Sequence, residues 1–332
     1  MNNNISQGGR RNFLKSAGLL SAGACLATNS GLISCVQNDS SASEKHRVRD
    51  RFWIFTDPAG TDDHRMKKFG VKGGSRMTPA ESAYWLGVHN ILFIRDQGLP
   101  AYPDMETDLL KSSYEQYAMS FEPLDRVIWS IVGSGGIGSA KELPYVLDMA
   151  KKFPNISGVF LDDFIINHSE DGKRSNIGKP ALSKEELSGI RERFKEVNQK
   201  MEMWVTLYTH HIFNEGYSIE PPLSEYIDLF DVATLWTWKS EDLPKLEENL
   251  ANLEKLTKGK TKIGLGIYTW DYTTGQSITN DLMEFQCGLG LKWLKEKRIE
   301  NMIFLGNTLF DMGFPSVDFI RKWIAKVGNE IL

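Results

Sequence analysis

Residues 126–162, RVIWSIVGSGGIGSAKELPYVLDMAKKFPNISGVFLD, contain one complete unit of the pattern that decides the fold. Short runs of β-branched, aromatic and other apolar residues, typical of buried strands, occupy 126–132 and 156–162. A helical pattern over 140–153 separates these two runs. A strand, a helix and a second strand in this order predict a parallel pair joined by a right-handed crossover.

The same unit recurs along most of the chain. Further strand-like runs occur at 51–56, 90–95, 202–209, 231–238, 261–270 and 301–306. Further helical patterns occur at 79–87, 106–121, 184–201, 224–230, 241–257, 280–298 and 316–331. Candidate capping boxes mark three of the helix starts, at Thr78–Glu81, Ser139–Glu142 and Ser183–Glu186. Eight strand–helix units predict an α/β fold, a single-domain (β/α)8 TIM barrel over residues 50–332.

The overall composition restricts the class of protein and of partner. The 332 residues are 41% hydrophobic and 25% charged, which excludes a disordered, collagen-like or coiled-coil chain. The formal net charge is −4, and it becomes −7 without Arg10, Arg11 and Lys15, which lie in a predicted signal peptide. Such a chain lacks the excess of cations that binds polyphosphate, so no nucleic acid partner is expected.

The amino-terminal residues have the features of an export signal. Within residues 8–20, GGRRNFLKSAGLL, a pair of arginines precedes a mildly apolar stretch of small residues. This pattern resembles a twin-arginine signal. The stretch is too short and too weakly apolar to span a bilayer as a permanent helix. We therefore expect residues 1–34 to form a signal peptide that is removed on export.

A lipid attachment site is predicted directly after this signal. Residues 32–35, LISC, resemble a bacterial lipobox, in which the cysteine is acylated and becomes the new amino terminus. Residues 35–49 are polar and are expected to form a flexible tether. The sequence thus predicts an exported lipoprotein of the periplasm or outer membrane, anchored to the membrane at Cys35. Cleavage without lipidation near residues 22–27 is the alternative.

Two consecutive acids end the fourth predicted strand, in the run VFLDDF. Asp162 and Asp163 would cost several kcal/mol if they were buried without partners, so we expect them to face the open barrel mouth. Strand alternation turns Val159 and Leu161 toward the helices and Asp162 inward. A purely structural role, in which these acids cap the following loop, is the alternative.

Other polar and aromatic side chains collect at the carboxyl ends of the strands, where TIM barrels carry their active sites. The candidates for substrate binding are Asp57, Arg95, Tyr208, His210, Trp236, Trp238, Tyr268, Trp270 and Asn307. Aromatic rings stack on the C–H faces of sugars, and carboxylates accept hydrogen bonds from sugar hydroxyl groups. The pattern therefore predicts a carbohydrate substrate.

The aromatic residues that end the runs 231–238 and 261–270 are expected to form the platform on which the sugar stacks. Arg95 and His210 are expected to orient its polar groups. Gly264 and Gly266 share strand parity with the rings that follow them, which predicts a concavity beneath the platform.

The segment SGVFLDD, residues 157–163, resembles the strand-four signature of endo-α-1,4-polygalactosaminidase-type and spherulin-4-like glycosidase barrels. The resemblance implies that Asp162 lies at the catalytic centre of a glycoside hydrolase. The second acid at Asp163 departs from the family pattern, and no obvious glutamate ends strands six to eight. Asp163 and Asp271 are therefore both candidates for the partner acid.

The reaction that these acids favour is glycoside hydrolysis. It needs one protonated and one ionised carboxyl group, and a partly desolvated acid beside another acid supplies this pair. Asp162 and its partner would share the roles of general acid and of nucleophile or base. If Asp162 and Asp163 act alone, assistance by a 2-acetamido group of the substrate is expected. No cofactor is expected.

Other classes of function have their own motifs in the sequence. GSGGIG at 133–138, followed by Asp162 after the next strand, fits the dinucleotide-binding order and would indicate an NAD-dependent sugar oxidoreductase. A non-catalytic, glycan-binding surface lipoprotein would need only the aromatic platform. No metal site is predicted, because no metal-binding spacing is present and the adjacent His210 and His211 would point to opposite faces of a strand.

Overall fold

The computed structural model describes residues 46–94, 108–133, 136, 140–168, 174–197, 199–213 and 216–332. The predicted signal peptide, Cys35, Arg95, Ser139 and most of the GSGGIG motif lie outside these ranges. The statements made above about them stay predictions.

Eight parallel strands form a closed barrel, which confirms the predicted (β/α)8 fold. The strands of the described chain, in chain order, are β1 (Phe52–Thr56), β2 (Asn90–Phe93), β3 (Arg126–Val132), β4 (Ile156–Leu161), β5 (Ile165–His168), β6 (Arg174–Pro180), β7 (Glu202–Tyr208), β8 (Ser218–Ile219), β9 (Val232–Trp236), β10 (Lys262–Ile267), β11 (Trp270–Asp271), β12 (Gln276–Ser277) and β13 (Asn301–Leu305). Around the barrel the order is β1, β13, β10, β9, β7, β4, β3 and β2. Each of the eight predicted strand-like runs contains one barrel strand.

Helices surround the barrel close to the predicted positions. They are α1 (Asp63–Lys68), α2 (Pro79–Leu86), α3 (Asp108–Ser120), α4 (Leu143–Lys152), α5 (Lys184–Arg193), α6 (Thr209–Ile212), α7 (Leu246–Thr257), α8 (Asn280–Lys295), α9 (Asn307–Phe310) and α10 (Pro315–Val327). Single-turn to two-turn 3-10 helices cover Val48–Arg51, Phe194–Glu196, Leu223–Glu225, Ile227–Leu229 and Ser240–Lys245. Over the described ranges, no helix is both long and apolar enough to cross a bilayer.

The capping boxes predicted at Thr78 and Ser183 are confirmed. Each hydroxyl accepts a hydrogen bond from the backbone amide three residues later, and the glutamate at that position accepts one from the capping residue in return. Helix α4 begins at Leu143 rather than at the predicted residue 140. Ala140 has a left-handed backbone, with φ +54°, which is incompatible with the first turn of an α-helix.

The alternation of side chains along the strands divides the core into two layers. Val159 and Leu161 belong to the large outer layer between strands and helices, as predicted, whereas Phe160 belongs to the barrel interior. Large rings fill that interior, and the ring centroids of Trp53 and Trp204 are 4.7 Å apart. The barrel is therefore packed below its mouth, and space for a ligand remains only near the strand ends.

The folded part of the chain starts earlier than residue 50. Val48 is fully buried, and its backbone N–H donates to the carbonyl oxygen of Glu330 over 2.9 Å. The N–H of Leu332 donates to the carbonyl oxygen of His46 over the same distance. Residues 46–49 thus pair with the carboxyl terminus and belong to the barrel rather than to the predicted tether.

Two small sheets supplement the barrel, and the sequence did not predict them. Strands β5, β6 and β8 form a three-stranded sheet, here called the inserted sheet, in which β5–β6 is antiparallel and β6–β8 parallel. Strands β5 and β6 follow the fourth barrel strand, and β8 follows the fifth. Strands β11 and β12 form a short hairpin after β10.

Candidate active site

A cavity of about 430 Å³ lies at the carboxyl ends of the barrel strands, within the size range typical of small-ligand sites. Among the described residues, the charged side chains that line it are four acids and one arginine: Asp57, Asp62, Asp162, Asp163 and Arg65. One histidine also lines it. Its aromatic and neutral polar lining includes Phe55, Phe69, Asn167, Tyr208, His211, Trp238, Tyr268, Tyr272 and Thr308. The cavity thus combines an excess of acids with several aromatic rings.

Asp162 and Asp163 both line this cavity, although consecutive residues of a strand would point to opposite faces. Strand β4 ends at Leu161, and Asp163 has a left-handed backbone with φ +44°. This turn brings its carboxylate back to the mouth. The Thr206 hydroxyl donates to Asp162 Oδ1 over 3.2 Å, and the Tyr208 hydroxyl donates to Asp163 Oδ1 over 2.6 Å. Asp162 is only 4% exposed.

Three tyrosines, Tyr208, Tyr268 and Tyr272, form a row along the cavity wall. Burial, reinforced by the nearby charge of Asp163, raises the pKa of both Tyr208 and Tyr268 above the usual value. Burial and the charge of Asp62 have the same effect on the pKa of Tyr272. All three hydroxyl groups therefore stay protonated near neutral pH and remain available as hydrogen-bond donors.

Asp57 lies at the end of β1, on the opposite side of the barrel mouth from β7. The side-chain amide of Asn307 holds the backbone of this residue: Asn307 Oδ1 accepts from the Asp57 N–H over 2.8 Å, and Nδ2 donates to the Asp57 carbonyl oxygen over 2.7 Å. Asn307 Nδ2 also donates to the carbonyl oxygen of Met77. The amide of Asn307, predicted to contact substrate, is thus used to fix the strand end that carries Asp57.

Asp62 was noted in the sequence as an acid of the loop after β1, whereas Arg65 was not selected, and both line the cavity. The Thr308 hydroxyl donates to Asp62 over 2.9 Å, and Arg65 Nη1 lies 3.6 Å from the other Asp62 oxygen. The Arg65 guanidinium group also lies over the ring of Tyr272, 5.4 Å from its centroid. The aspartates that follow β1 are the sequence signal for this cluster. Arg65 belongs to helix α1 and joins the cluster from there.

The adjacent histidines do not follow the predicted strand geometry. They lie in the short helix α6, where the ring centroids of His210 and His211 are 4.2 Å apart. The prediction that they point to opposite faces is wrong because the strand already ends at Tyr208. His211 lines the cavity beside Asn167, with the two side-chain nitrogens 3.2 Å apart, whereas the ring of His210 packs 5.3 Å from that of Trp238. In the described chain, no three potential ligand side chains are grouped as a metal site requires.

The predicted aromatic platform divides into two groups. Trp238 and Tyr268 line the cavity. Trp236 is 1% exposed and fills the barrel interior, where its ring occupies the space above Gly266: a Cβ atom there would lie 2.1 Å from Trp236 Cδ2. The predicted concavity is therefore absent at Gly266, because a tryptophan ring fills it. Trp270 packs away from the cavity, against Phe314 at a centroid distance of 4.7 Å.

Asp271 lies in the loop after β10 and is held by hydrogen bonds from that loop and from Ser240. It accepts from the backbone N–H and the hydroxyl of Ser240, and from the backbone N–H groups of Thr273 and Thr274. Burial raises its pKa, but these hydrogen bonds outweigh burial and leave the pKa below the ordinary value. The carboxylate is 3% exposed and stabilises the loop.

The inserted sheet forms one wall of the cavity through Ile165, Ile166 and Asn167. Behind this wall, Gly136 of the GSGGIG motif packs closely: a Cβ atom there would lie 2.4 Å from Ile166 Cγ1 and 3.1 Å from the carbonyl oxygen of Asp163. The runs 165–168 and 174–180, IINH and RSNIGKP, show no regular alternation of apolar and polar residues, so periodicity gives no signal for this hairpin.

No family model and no curated protein matches the sequence. Among solved structures, the chain is similar to the xylanase–α-amylase inhibitor protein XAIP-I in complex with trehalose, with 12% identity, coverage of 83% of this chain and 98% of that chain, and a TM-score of 0.48. It is also similar to a glycoside hydrolase family 18 N-acetylglucosaminidase from Paenibacillus barengoltzii, with 10% identity, 83% and 99% coverage, and a TM-score of 0.47. A third is the spore cortex-lytic enzyme SleL of Bacillus cereus, with 11% identity, 84% and 74% coverage, and a TM-score of 0.44. Similarity at this level identifies no reaction.

Proposed function

We propose that the protein is a glycoside hydrolase in which Asp162 and Asp163 act on a carbohydrate bound in the cavity. One observation carries the proposal: two consecutive carboxylates are turned into the same partly enclosed cavity, between walls that bear aromatic rings. Holding two acids so close in a buried setting costs folding free energy. Groups held at such a cost are concentrated at functional sites.

The chemistry needs a proton donor and an ionised group. One carboxyl group gives its proton to the glycosidic oxygen as the bond from that oxygen to the anomeric carbon breaks. The other carboxylate stabilises the positive charge that develops on the sugar ring. A water molecule then adds to the anomeric carbon, and the proton it loses restores the acid. The reaction consumes one water and leaves both carboxyl groups as they began.

The remaining lining suits the same reaction. Four aspartates oppose one arginine in the described lining, so the cavity favours a cationic transition state over an anionic one. Trp238 and Tyr268 offer ring surface for the C–H faces of a sugar. The Tyr208 hydroxyl is already used on Asp163, and Tyr272 adds a protonated hydroxyl to the lining. Asp271 is less suited to the role of partner acid, because its oxygens already accept four hydrogen bonds from its own and a neighbouring loop.

A dinucleotide-dependent oxidoreductase is less well supported. That class binds its cofactor at the crevice of an open, doubly wound sheet, whereas the strand before GSGGIG belongs to a closed barrel. Gly136 is also used for close packing against Ile166.

The test is a screen of the full chain against 4-nitrophenyl glycosides and a polysaccharide panel. We expect release of reducing ends from at least one class of glycan, abolished in Asp162→Asn and in Asp163→Asn. Asp125→Asn, which neutralises an exposed aspartate before β3, is the matched control and should keep full activity. Glycan binding without hydrolysis, unchanged in both acid variants, would contradict the proposal and support a glycan-binding protein instead. Binding of NAD by the folded chain would revive the oxidoreductase.

Export and lipid anchoring complete the proposal. The twin-arginine pair and the LISC sequence support a lipoprotein anchored at Cys35 and located in the periplasm or at the outer membrane. Membrane fractionation tests this with Cys35→Ala, which should release the protein, and with Cys25→Ala as the matched control, which should not. Equal solubility of the wild type and Cys35→Ala would contradict the lipid anchor.

A further inference from the structure

Two donors on β7 reach two consecutive acids on the neighbouring strand. Strands β4 and β7 pair in parallel, with Leu161 opposite Val205. Thr206 and Tyr208 are two residues apart on β7, so their side chains share one face. Thr206 donates to Asp162, and Tyr208 donates to Asp163. The turn at Asp163 is what allows donors on one face to serve adjacent acids.

We propose that Tyr208 is a positioning residue for Asp163, holding this carboxylate fixed in direction beside Asp162, which exchanges the proton. The proposal rests on the proposed glycoside hydrolysis and deepens it by giving the two acids different roles. Tyr208 acts through Asp163 and takes no part in bond making or breaking.

The two hydrogen bonds differ in the way that these roles require. The bond from Tyr208 is 2.6 Å long, in the range of charge-assisted O–H···O⁻ bonds, and it stabilises the charged form of its acceptor. The bond from Thr206 to Asp162 is longer, at 3.2 Å, and Asp162 is the more buried of the two acids. Burial disfavours a charged carboxylate. Asp162 is therefore the acid better placed to carry the proton.

Two further observations support Tyr208 in this role. Burial and the charge of Asp163 raise its pKa well above the usual value, so the hydroxyl remains a donor in neutral and weakly basic solution. Asp163 also has a left-handed backbone, which a non-glycine residue adopts at a cost. A strong side-chain hydrogen bond at this residue offsets that cost and fixes the direction of the carboxylate.

The experiment is the steady-state kinetics of Tyr208→Phe on the 4-nitrophenyl glycoside that the wild type hydrolyses. We expect kcat to fall about 10- to 100-fold with KM changed by less than about threefold, since a misdirected catalytic group affects the chemical step. Tyr114→Phe, which removes the hydroxyl of another buried tyrosine, far from the cavity, is the matched control.

Other outcomes overturn the proposal. A rise in KM with kcat unchanged would make Tyr208 a substrate-binding residue. If the wild type hydrolyses none of the glycosides, the proposed function fails, and the positioning role is decided by a double-mutant cycle on the free energy of unfolding at pH 7. Coupling between Tyr208→Phe and Asp163→Asn supports it, and absence of coupling overturns it.

Discussion

Asp162 and Asp271 both follow barrel strands and are both almost fully buried, yet their surroundings give them opposite uses. Asp162 lines the cavity, where the Thr206 hydroxyl donates to it over 3.2 Å. Asp271 does not line the cavity, and it accepts four hydrogen bonds from its own and a neighbouring loop. The comparison teaches that a position after a barrel strand does not by itself make an acid available to a substrate. Two tryptophans differ in the same way: Trp238 lines the cavity, whereas Trp236 lies below it in the barrel interior.

The largest expected effect is that of Asp162→Asn on turnover. We expect kcat to fall by about 10³-fold or more, equivalent to about 4 kcal/mol of transition-state stabilisation. The far-ultraviolet circular dichroism should stay unchanged, because the amide still accepts the Thr206 hydrogen bond. Full activity in this variant would remove Asp162 from the catalytic pair and erase the contrast with Asp271.

The tryptophans sharpen the comparison. Trp236→Ala should lower the free energy of unfolding by about 3–5 kcal/mol, because it empties the barrel interior and leaves the Thr234 hydroxyl without the indole donor. Trp238→Ala should instead weaken glycan binding about ten- to hundredfold, through the loss of stacking surface worth about 1–3 kcal/mol. Urea unfolding and equilibrium glycan binding, measured on both variants, check these results. Equal destabilisation by the two variants would show that Trp238 is also a core residue.

Asp271→Asn should affect stability rather than chemistry. An amide replaces one acceptor oxygen by a donor, so we expect a loss of about 1–3 kcal/mol in the free energy of unfolding at pH 7. The folded-state pKa of Asp271 is lowered, so its stabilisation is present above the unfolded pKa of about 3.9 and is lost as the pH falls through the folded pKa. The wild type and the variant should therefore converge in stability in acid. A loss of kcat in folded Asp271→Asn comparable to that in Asp162→Asn would refute the contrast.

The smallest effect expected is that of Gly136→Ala, measured against Gly70→Ala. Both glycines have a left-handed backbone, with φ +71° and +80°, so alanine carries a similar backbone strain at either. No atom lies within 4 Å of a Cβ at residue 70, whereas at residue 136 the Cβ meets Ile166 and the backbone of Asp163. We expect an additional loss of about 1 kcal/mol at residue 136, together with reduced kcat. Equal stability and activity in the two variants would show that the approach of Gly136 leaves Asp163 undisturbed.

Most of the fold was predictable because the barrel strands are buried on both faces. Runs such as 302–305 are continuously apolar, and the amphipathic helices between the strands have a different period. The inserted sheet was missed because its strands are mixed in polarity and partly exposed, and because β6 pairs with β8 from a different loop. Such pairing depends on contacts between distant residues, which local periodicity does not contain.

The site was predictable only where the strand geometry continues to the residue in question. Alternation placed Asp162 correctly, because it directly follows β4. The position of the Asp163 carboxylate depends on a left-handed backbone, and that of His211 on a helical turn; neither has a local sequence signal that alternation detects. Trp236 was selected from its place near a strand end, which does not indicate its depth in the barrel; that depth depends on the space left by Gly266.

The inserted sheet joins two loops that are separate in most barrels. Strands β5 and β6 come from the loop that follows the two acids, and β8 comes from the loop that follows Tyr208. Tyr217, just before β8, packs so closely on Gly178 of β6 that a Cβ there would lie 2.2 Å from its hydroxyl oxygen. For protein engineering, these two loops form one structural unit that has to be transferred as a whole. Exchanging either one alone would leave an unpaired strand edge beside the acids, so new specificities should be grafted, or recombined, with both loops together.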